Sequence, residues 1–215
     1  MNGKRSEIAR LIDRAGIIGF DNGVLTSPAP ETEHEYAAIL IKKQALFGPV
    51  YFLNVRPGGK RHDRDRVYAN RIALFGGKRK RKENELEEKA ARREMEEETG
   101  VAIRGALDNR LFNVFGRDDQ GNANHGHIYL EEYQWWDSSI SSRKIRRHIK
   151  TEEKKGNIIG KLIKIKRWYP RFYVTGLFLP VDWTRCTPET VAALIADLDL
   201  DRAKRPGYRP ASIRD

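Results

Sequence analysis

Gly76–Val101, GGKRKRKENELEEKAARREMEEETGV, decides how the chain is read: a glycine pair opens a cationic loop, the loop feeds a charged helix, and a glycine closes it. From Glu85 onward the periodicity is helical. Leu86, Ala90, Ala91 and Met95 fall on one narrow apolar stripe, and Gly100 stands where a left-handed C-terminal cap belongs. The spacing predicts a helix from about Leu86 to Glu98. On it Glu94, Glu97 and Glu98 stand at i, i+3 and i+4, so three carboxylates share one face near the C-terminal end. The macrodipole is negative there, and the like-charged pair Glu94 and Glu98 costs the bare helix about 0.2–0.5 kcal/mol.

A multivalent cation removes that conflict. Mg²⁺ or Mn²⁺ takes hard oxygen ligands, keeps several waters and shares its other positions with substrate phosphate, which an open carboxylate cluster allows. The other reading is a solvated helix of Ala, Glu, Lys and Arg, in which a run of glutamates has no chemical role.

The run from Glu85 through seven residues to Arg93, Glu94, Met95, Glu96, Glu97, Glu98, Thr99, Gly100 and Val101 resembles the box of the Nudix hydrolases, G-x5-E-x7-R-E-U-x-E-E-x-G-U with U apolar. The seventeen positions from Glu85 to Val101 fit without a gap. The loop departs from the pattern: seven residues, Lys78 to Asn84, separate Gly77 from Glu85 where the family has five, and Phe75 stands where many members place a proline. This reads as a two-residue loop expansion ahead of an intact helix, since surface loops tolerate insertions at little cost.

The resemblance implies an α/β fold, an α/β/α sandwich with a mixed β-sheet between helices. It implies that Glu94, Glu97 and Glu98 bind Mg²⁺ or Mn²⁺ with Gly77 in the metal site, and that Glu94, Arg93 and Glu98 carry the catalysis. In this reading Arg93 orients a glutamate by a salt bridge and Glu85 holds or tunes the site. Gly76 approaches phosphate closely because no Cβ intervenes. Arg56 ends a strand where Nudix members often place a basic residue facing phosphate; an ordinary surface arginine is its other reading. The implied reaction is metal-dependent hydrolysis of the pyrophosphate linkage in a nucleoside diphosphate joined to another moiety. The alternatives are hydrolysis at an RNA 5′ end or cap, and a non-catalytic basic nucleic-acid-binding protein on the same scaffold. Which glutamate acts as general base stays open.

The 215 residues suffice for one domain, 1–215, with an N-terminal helix, a basic insert around 138–167 and a frayed C-terminal tail. A single cysteine, Cys186, excludes an internal disulfide and fits a reducing compartment, as a packed or half-buried thiol. No apolar run approaches membrane-spanning length and no signal-peptide core opens the chain, so a cytoplasmic protein is expected. Oligomeric state is not legible. The net charge is +11, concentrated in Lys78–Lys82 and in Arg143–Arg167, where eleven basic residues face two acids. Such localised fields attract anions. The second stretch, with Trp168 and Tyr169 after it, is read as an RNA-binding segment separate from the metal site or as a solvated loop.

In chain order, Ser6 to Ala15 reads as an amphipathic helix, Phe20 to Thr32 as loop, and Glu35 to Lys43 and Pro49 to Val55 as strands. Gly58 to Tyr68 reads as loop and Arg71 to Phe75 as a short strand into the glycine pair. Ala102 to Val114 holds one or two strands, Gly116 to Gly126 a turn, and His127 to Trp136 another strand, from which Glu131 or Glu132 is a further candidate carboxylate. Ser138 to Lys155 lacks aliphatic periodicity and reads as mobile or partly helical. Ile158 to Trp168 contains a half-exposed strand, Phe172 to Val181 a strong one, and Pro188 to Leu198 a helix with Val191, Leu194, Ile195 and Leu198 as its stripe.

Overall fold

The computed structural model describes residues 17–21, 34–46, 48–56, 70–80, 83–103, 106–107, 109–117, 123–157, 159–166 and 183–203. The strands are β1 (Ile17–Asp21), β2 (His34–Lys43), β3 (Val50–Val55), β4 (Ile72–Ala73), β5 (Phe75–Lys78), β6 (Arg110–Arg117), β7 (Ala123–Tyr133) and β8 (Lys161–Lys166). The helices are α1 (Glu87–Thr99), α2 (Ser142–Lys154) and α3 (Pro188–Ala203). The sheet runs β1-β6-β7-β2-β3-β4, with β5 added on β2 and β8 on β3. It is mixed: β2 and β7 are parallel over ten rungs, and the other pairs are antiparallel.

Alternation along β2 separates the two faces. Ala38 and Leu40 join the cluster that takes Val191, Ala192, Ala193 and Leu194 of α3. Ala37, Ile39 and Ile41 join the cluster that takes Ala90, Ala91 and Met95 of α1 and Ile145 and Ile149 of α2. The result is the expected α/β/α sandwich. Residues 72–78 form a wedge: Ile72 and Ala73 pair with Val55 and Asn54 of β3, and Phe75 to Lys78 then pair with Ile39 to Tyr36 of β2. The glycine pair, read as the opening of a loop, therefore lies inside a strand.

α1 starts one residue later than the spacing predicts and ends on Gly100 in the left-handed conformation (φ 68°). Its buried residues are Ala90, Ala91, Met95 and Thr99; Leu86 occupies the N-cap position and is 55 % exposed, so it leaves the predicted stripe. Two alanines under the helix leave its backbone close to the sheet, which brings the outward carboxylates over β5.

Residues 142–154, read as mobile or partly helical, are a helix. Ser141 caps it by accepting the Lys144 N–H (3.2 Å), and Ile145 and Ile149 fasten it to α1 and the sheet. The predicted turn at 116–126 narrows because β6 runs to Arg117 and β7 starts at Ala123, paired with each other. The strand at Lys161–Lys166 forms as expected, but it is covered on both faces rather than half-exposed: Ile163 and Ile165 pack on the α3 side, and Leu162 joins the cluster on the α1 side. Ser6–Ala15, Gly58–Tyr68, Trp168, Tyr169, Phe172–Val181 and the side chain of Leu198 lie outside the described residues.

α3 is held from inside as well as by its apolar contacts. Asp197, buried, accepts from Lys42 Nζ (2.9 Å) and from the Tyr51 hydroxyl (2.6 Å), tying the helix to β2 and β3. Cys186 is buried beside Ile72, as a packed thiol.

Candidate active site

The outward face of α1 meets the strand that carries the glycine pair. Gly76 N–H donates to Glu98 Oε2 (2.9 Å). A Cβ on Gly77 would lie 2.3 Å from the Glu94 carboxyl carbon, so that carboxylate occupies the space a side chain would fill. At Gly76 a Cβ would strike the backbone of β2, 2.4 Å from Ala37 O. The two glycines thus serve different ends: Gly76 lets β5 pair with β2, and Gly77 leaves room for Glu94.

Arg93 organises the acidic face. Its Nε and Nη2 donate to the two oxygens of Glu85 (2.8 and 3.1 Å), its Nη1 donates to Glu94 (2.6 Å) and Glu97 (3.3 Å), and Nη2 also reaches Lys78 O (3.0 Å). Glu85 accepts from Lys80 N–H as well (2.9 Å), so the loop expansion stays clipped to the helix. Arg79 turns inward to Glu35, Glu87 and Glu85 O rather than projecting as a free cation.

The electrostatics separate the four carboxylates. The Arg93 guanidinium holds Glu85 below the ordinary carboxylate range. Burial raises Glu94, against the pull of Arg93, and pushes Glu98 up to about 8 against the Gly76 amide and the charge of Arg56. Glu97 is exposed. Arg56, which follows β3 and is held by Arg71 O and Asn70 N–H (both 3.0 Å), therefore lies within electrostatic reach of Glu98.

The structure brings together Gly76, Gly77, Glu85, Arg93, Glu94, Glu97 and Glu98, with Arg56 at the edge. It does not bring in Glu131 or Glu132. Glu131 pairs with Ile41, three rungs beyond the Ile128–Ala38 rung that adjoins Gly76, and interacts with Arg92 and Tyr133; Glu132 accepts from Gln44. Among the described residues no three His, Cys, Asp or Glu side chains converge as a preformed coordination shell. The donor set itself fits Mg²⁺ or Mn²⁺: hard oxygens, an excess of negative charge on one face, and a glycine whose missing Cβ makes room for the Glu94 carboxylate.

This arrangement gives a test of Gly77. Its clash is with the mobile end of a glutamate, so Gly77→Ala is expected to fold with a stability within about 1 kcal/mol of wild type. A metal-dependent activity that needs Glu94 in place is expected to fall at least tenfold. Unchanged turnover would show that the Glu94 position does not matter.

A second polar cluster, not anticipated from the sequence, lies under the first turn of α1. The rings of His125 and His127 lie 4.2 Å apart between centres, tilted by 49°, His127 Nδ1 is 3.1 Å from Asn113 Oδ1, and His127 Nε2 is 3.9 Å from Glu87 Oε1. The signal was the His-Gly-His alternation, which puts both rings on the α1 face of β7. Burial, reinforced by His125, depresses His127 to about 4. Because the folded value lies below the unfolded one, stability present above about pH 6.5 is lost as pH falls towards 4. In urea titrations His127→Gln should reduce the loss between pH 7 and pH 4.5; an equal loss in both proteins would place the acid sensitivity elsewhere.

α2 seats against the far end of the box helix. His148 Nε2–H donates to Glu97 O (2.8 Å), satisfying a carbonyl of the last turn, and its ring covers Gly100, where a Cβ would lie 2.7 Å from it. α1 has no basic residue in its own last turn, so this contact and the cationic helix behind it offset the crowded negative end.

No protein-family model matches the chain, and no curated protein matches it. Solved structures with a similar fold include a mutT/nudix family protein from Listeria innocua (14 % identity, 80 % of this chain and 98 % of that one, TM-score 0.47). They also include Shewanella oneidensis NrtR (12 %, 80 % and 65 %, TM-score 0.47) and the C. elegans Ap4A hydrolase (16 %, 56 % and 86 %, TM-score 0.39). No helix of the described residues is long and apolar enough to cross a membrane.

Proposed function

We propose that the chain is a Nudix-type, metal-dependent hydrolase of the pyrophosphate linkage in a nucleoside diphosphate joined to another moiety. The observation that carries this reading is the seating of Gly76 and Gly77 directly against Glu98 and Glu94, with Arg93 locking Glu85, Glu94 and Glu97 into one unit. A solvated helix has no use for so costly an arrangement.

Glu94, Glu97 and Glu98 are the ligands for Mg²⁺ or Mn²⁺. When bound, the cation neutralises phosphate oxygens and acidifies water. Arg93 positions Glu94 and Glu97, and Glu85 positions Arg93. The Gly76 amide fixes the Glu98 carboxylate. Glu94 or Glu98 accepts the proton of the attacking water. Arg56, at the edge of the acidic face, draws the anionic substrate in.

A second reading, hydrolysis at the 5′ end of an RNA, is favoured by the packing of the basic helix α2 on the last turn of α1. A panel of nucleoside diphosphate conjugates, dinucleoside polyphosphates, capped RNA and 5′-triphosphorylated RNA, each with Mg²⁺ or Mn²⁺ and with product identification, separates the two. Cleavage of small conjugates supports the first reading and cleavage of RNA ends alone the second. No cleavage of any member would overturn both.

A further inference from the structure

The chain between β7 and α2 is a hydrogen-bonded turn that displays two tryptophans. Asp137 N–H donates to Gln134 O (3.1 Å), which puts Trp135 and Trp136 at the two central positions of the turn. They are 67 % and 65 % exposed and meet edge to face, 5.5 Å between ring centres. The turn is fastened from below: Lys43 Nζ donates to Asp137 O and to Ile140 O (3.0 Å), Ile140 is fully buried, and Asp137 accepts from Ser139 N–H (2.7 Å). Lys144, in the first turn of α2, reaches back to Ser139 O (3.2 Å), so the start of the helix is tied to the segment that follows the tryptophans.

α2 then carries a single stripe of positive charge. Arg143, Arg146, Arg147, Lys150 and Lys154 stand at i, i+3, i+4, i+7 and i+11, within about 100° of arc, opposite Ile145 and Ile149. The stripe is about 16 Å long. Among the described residues none of these five cations meets a carboxylate, whereas Glu152 is engaged by Lys155 (2.6 Å) and Asn157 (2.8 Å).

We infer that the Trp135–Trp136 turn and the basic stripe of α2 form one binding surface for single-stranded RNA, the stripe tracking the phosphates and the indoles stacking on bases. Cationic tracks beside exposed aromatics are what sequence-tolerant single-strand binding requires. An anionic lipid surface shares the charge and also accepts indoles, but α2 has no apolar face to lay in the interface, since Ile145 and Ile149 are buried against α1 and the sheet, so the vesicle arm of the test below decides between them. Trp168 and Tyr169, the aromatics expected after this stretch, lie outside the described residues; Trp135 and Trp136 are a second pair, which precedes the helix. The surface also adjoins the box helix through His148, instead of standing apart from it. The inference does not depend on hydrolysis.

The test uses the full chain in EDTA with a labelled oligouridylate, followed by anisotropy across a salt series. The logarithm of the binding constant should fall linearly with that of salt, by about 0.7 per phosphate contact, and Arg143→Gln, Arg146→Gln and Arg147→Gln together should flatten the slope by about 2. Trp135→Ala with Trp136→Ala should leave the slope unchanged and weaken binding roughly five- to a hundredfold per stacked base, with loss of RNA-induced tryptophan quenching. Thermal melts of each variant establish that it is folded. Absence of binding at low salt, a slope indifferent to the triple substitution, or binding to phosphatidylserine vesicles in preference to RNA would overturn the inference.

Discussion

Replacing Glu98 by Gln is expected to cut metal-dependent turnover about a hundredfold or more while leaving the fold intact. A bound cation contributes several kcal/mol of charge stabilisation to phosphate chemistry, and each 1.4 kcal/mol is a tenfold change in rate. Gln keeps an oxygen that accepts the Gly76 N–H at 2.9 Å, so the strand contact survives, but it removes the charge a hard cation needs. Without metal the variant should be more stable than wild type above about pH 8. Burial raises the Glu98 carboxyl to about 8 from its unfolded value, so stability present in acid is lost as pH rises through 8, and Gln escapes that loss. The two proteins should converge towards pH 4.5. Wild-type turnover by Glu98→Gln at saturating Mg²⁺ would show that the carboxylate is no ligand.

The helix that carries Glu98 was legible because three local signals agreed: the Ala90, Ala91 and Met95 stripe, the terminating Gly100 and the spacing of the carboxylates. Strands β2, β3 and β8 were legible by apolar runs or alternation. α2 was not, because only Ile145 and Ile149 mark its inner face and its remaining positions are almost all charged; its docking depends on residues far away, Lys43 among them. The turn signals at 116–126 misled for a similar reason, since Gly116 and Asn124 are held in strand by pairing with each other. At the site, the sequence named the carboxylates and glycines but not the link between them. That Gly77 makes room for Glu94 while Gly76 holds Glu98 follows from the pairing of β5 with β2, which no local pattern in 76–101 contains.

Asp197→Ala is expected to destabilise the protein by about 3 kcal/mol or more, the largest effect expected away from the site. Asp197 and Lys42 are each 1 % exposed, and the substitution removes the carboxylate nearest Lys42 Nζ and the acceptor of the Tyr51 hydroxyl together. Weakening a desolvated ion pair is costly, even with Glu132 3.9 Å from Lys42 Nζ, whereas replacing both partners with apolar residues is often close to neutral. Asp197→Leu combined with Lys42→Met should therefore recover, in urea unfolding, the part of the loss that comes from Lys42. A loss under about 1 kcal/mol for Asp197→Ala would mean that the pair does not hold α3 to the sheet.

On the reading proposed above, the acidic face of α1 and the glycine pair of β5 make one hydrolytic centre. Turnover of a nucleoside diphosphate conjugate in ¹⁸O-labelled water, with Mg²⁺ and with EDTA, tests it most directly. Cleavage is expected only with the metal, with the label in a phosphate of one product and with both activity and labelling lost in Glu94→Gln and Glu98→Gln. Label-free products, cleavage undiminished in EDTA, or full activity in both variants would contradict it.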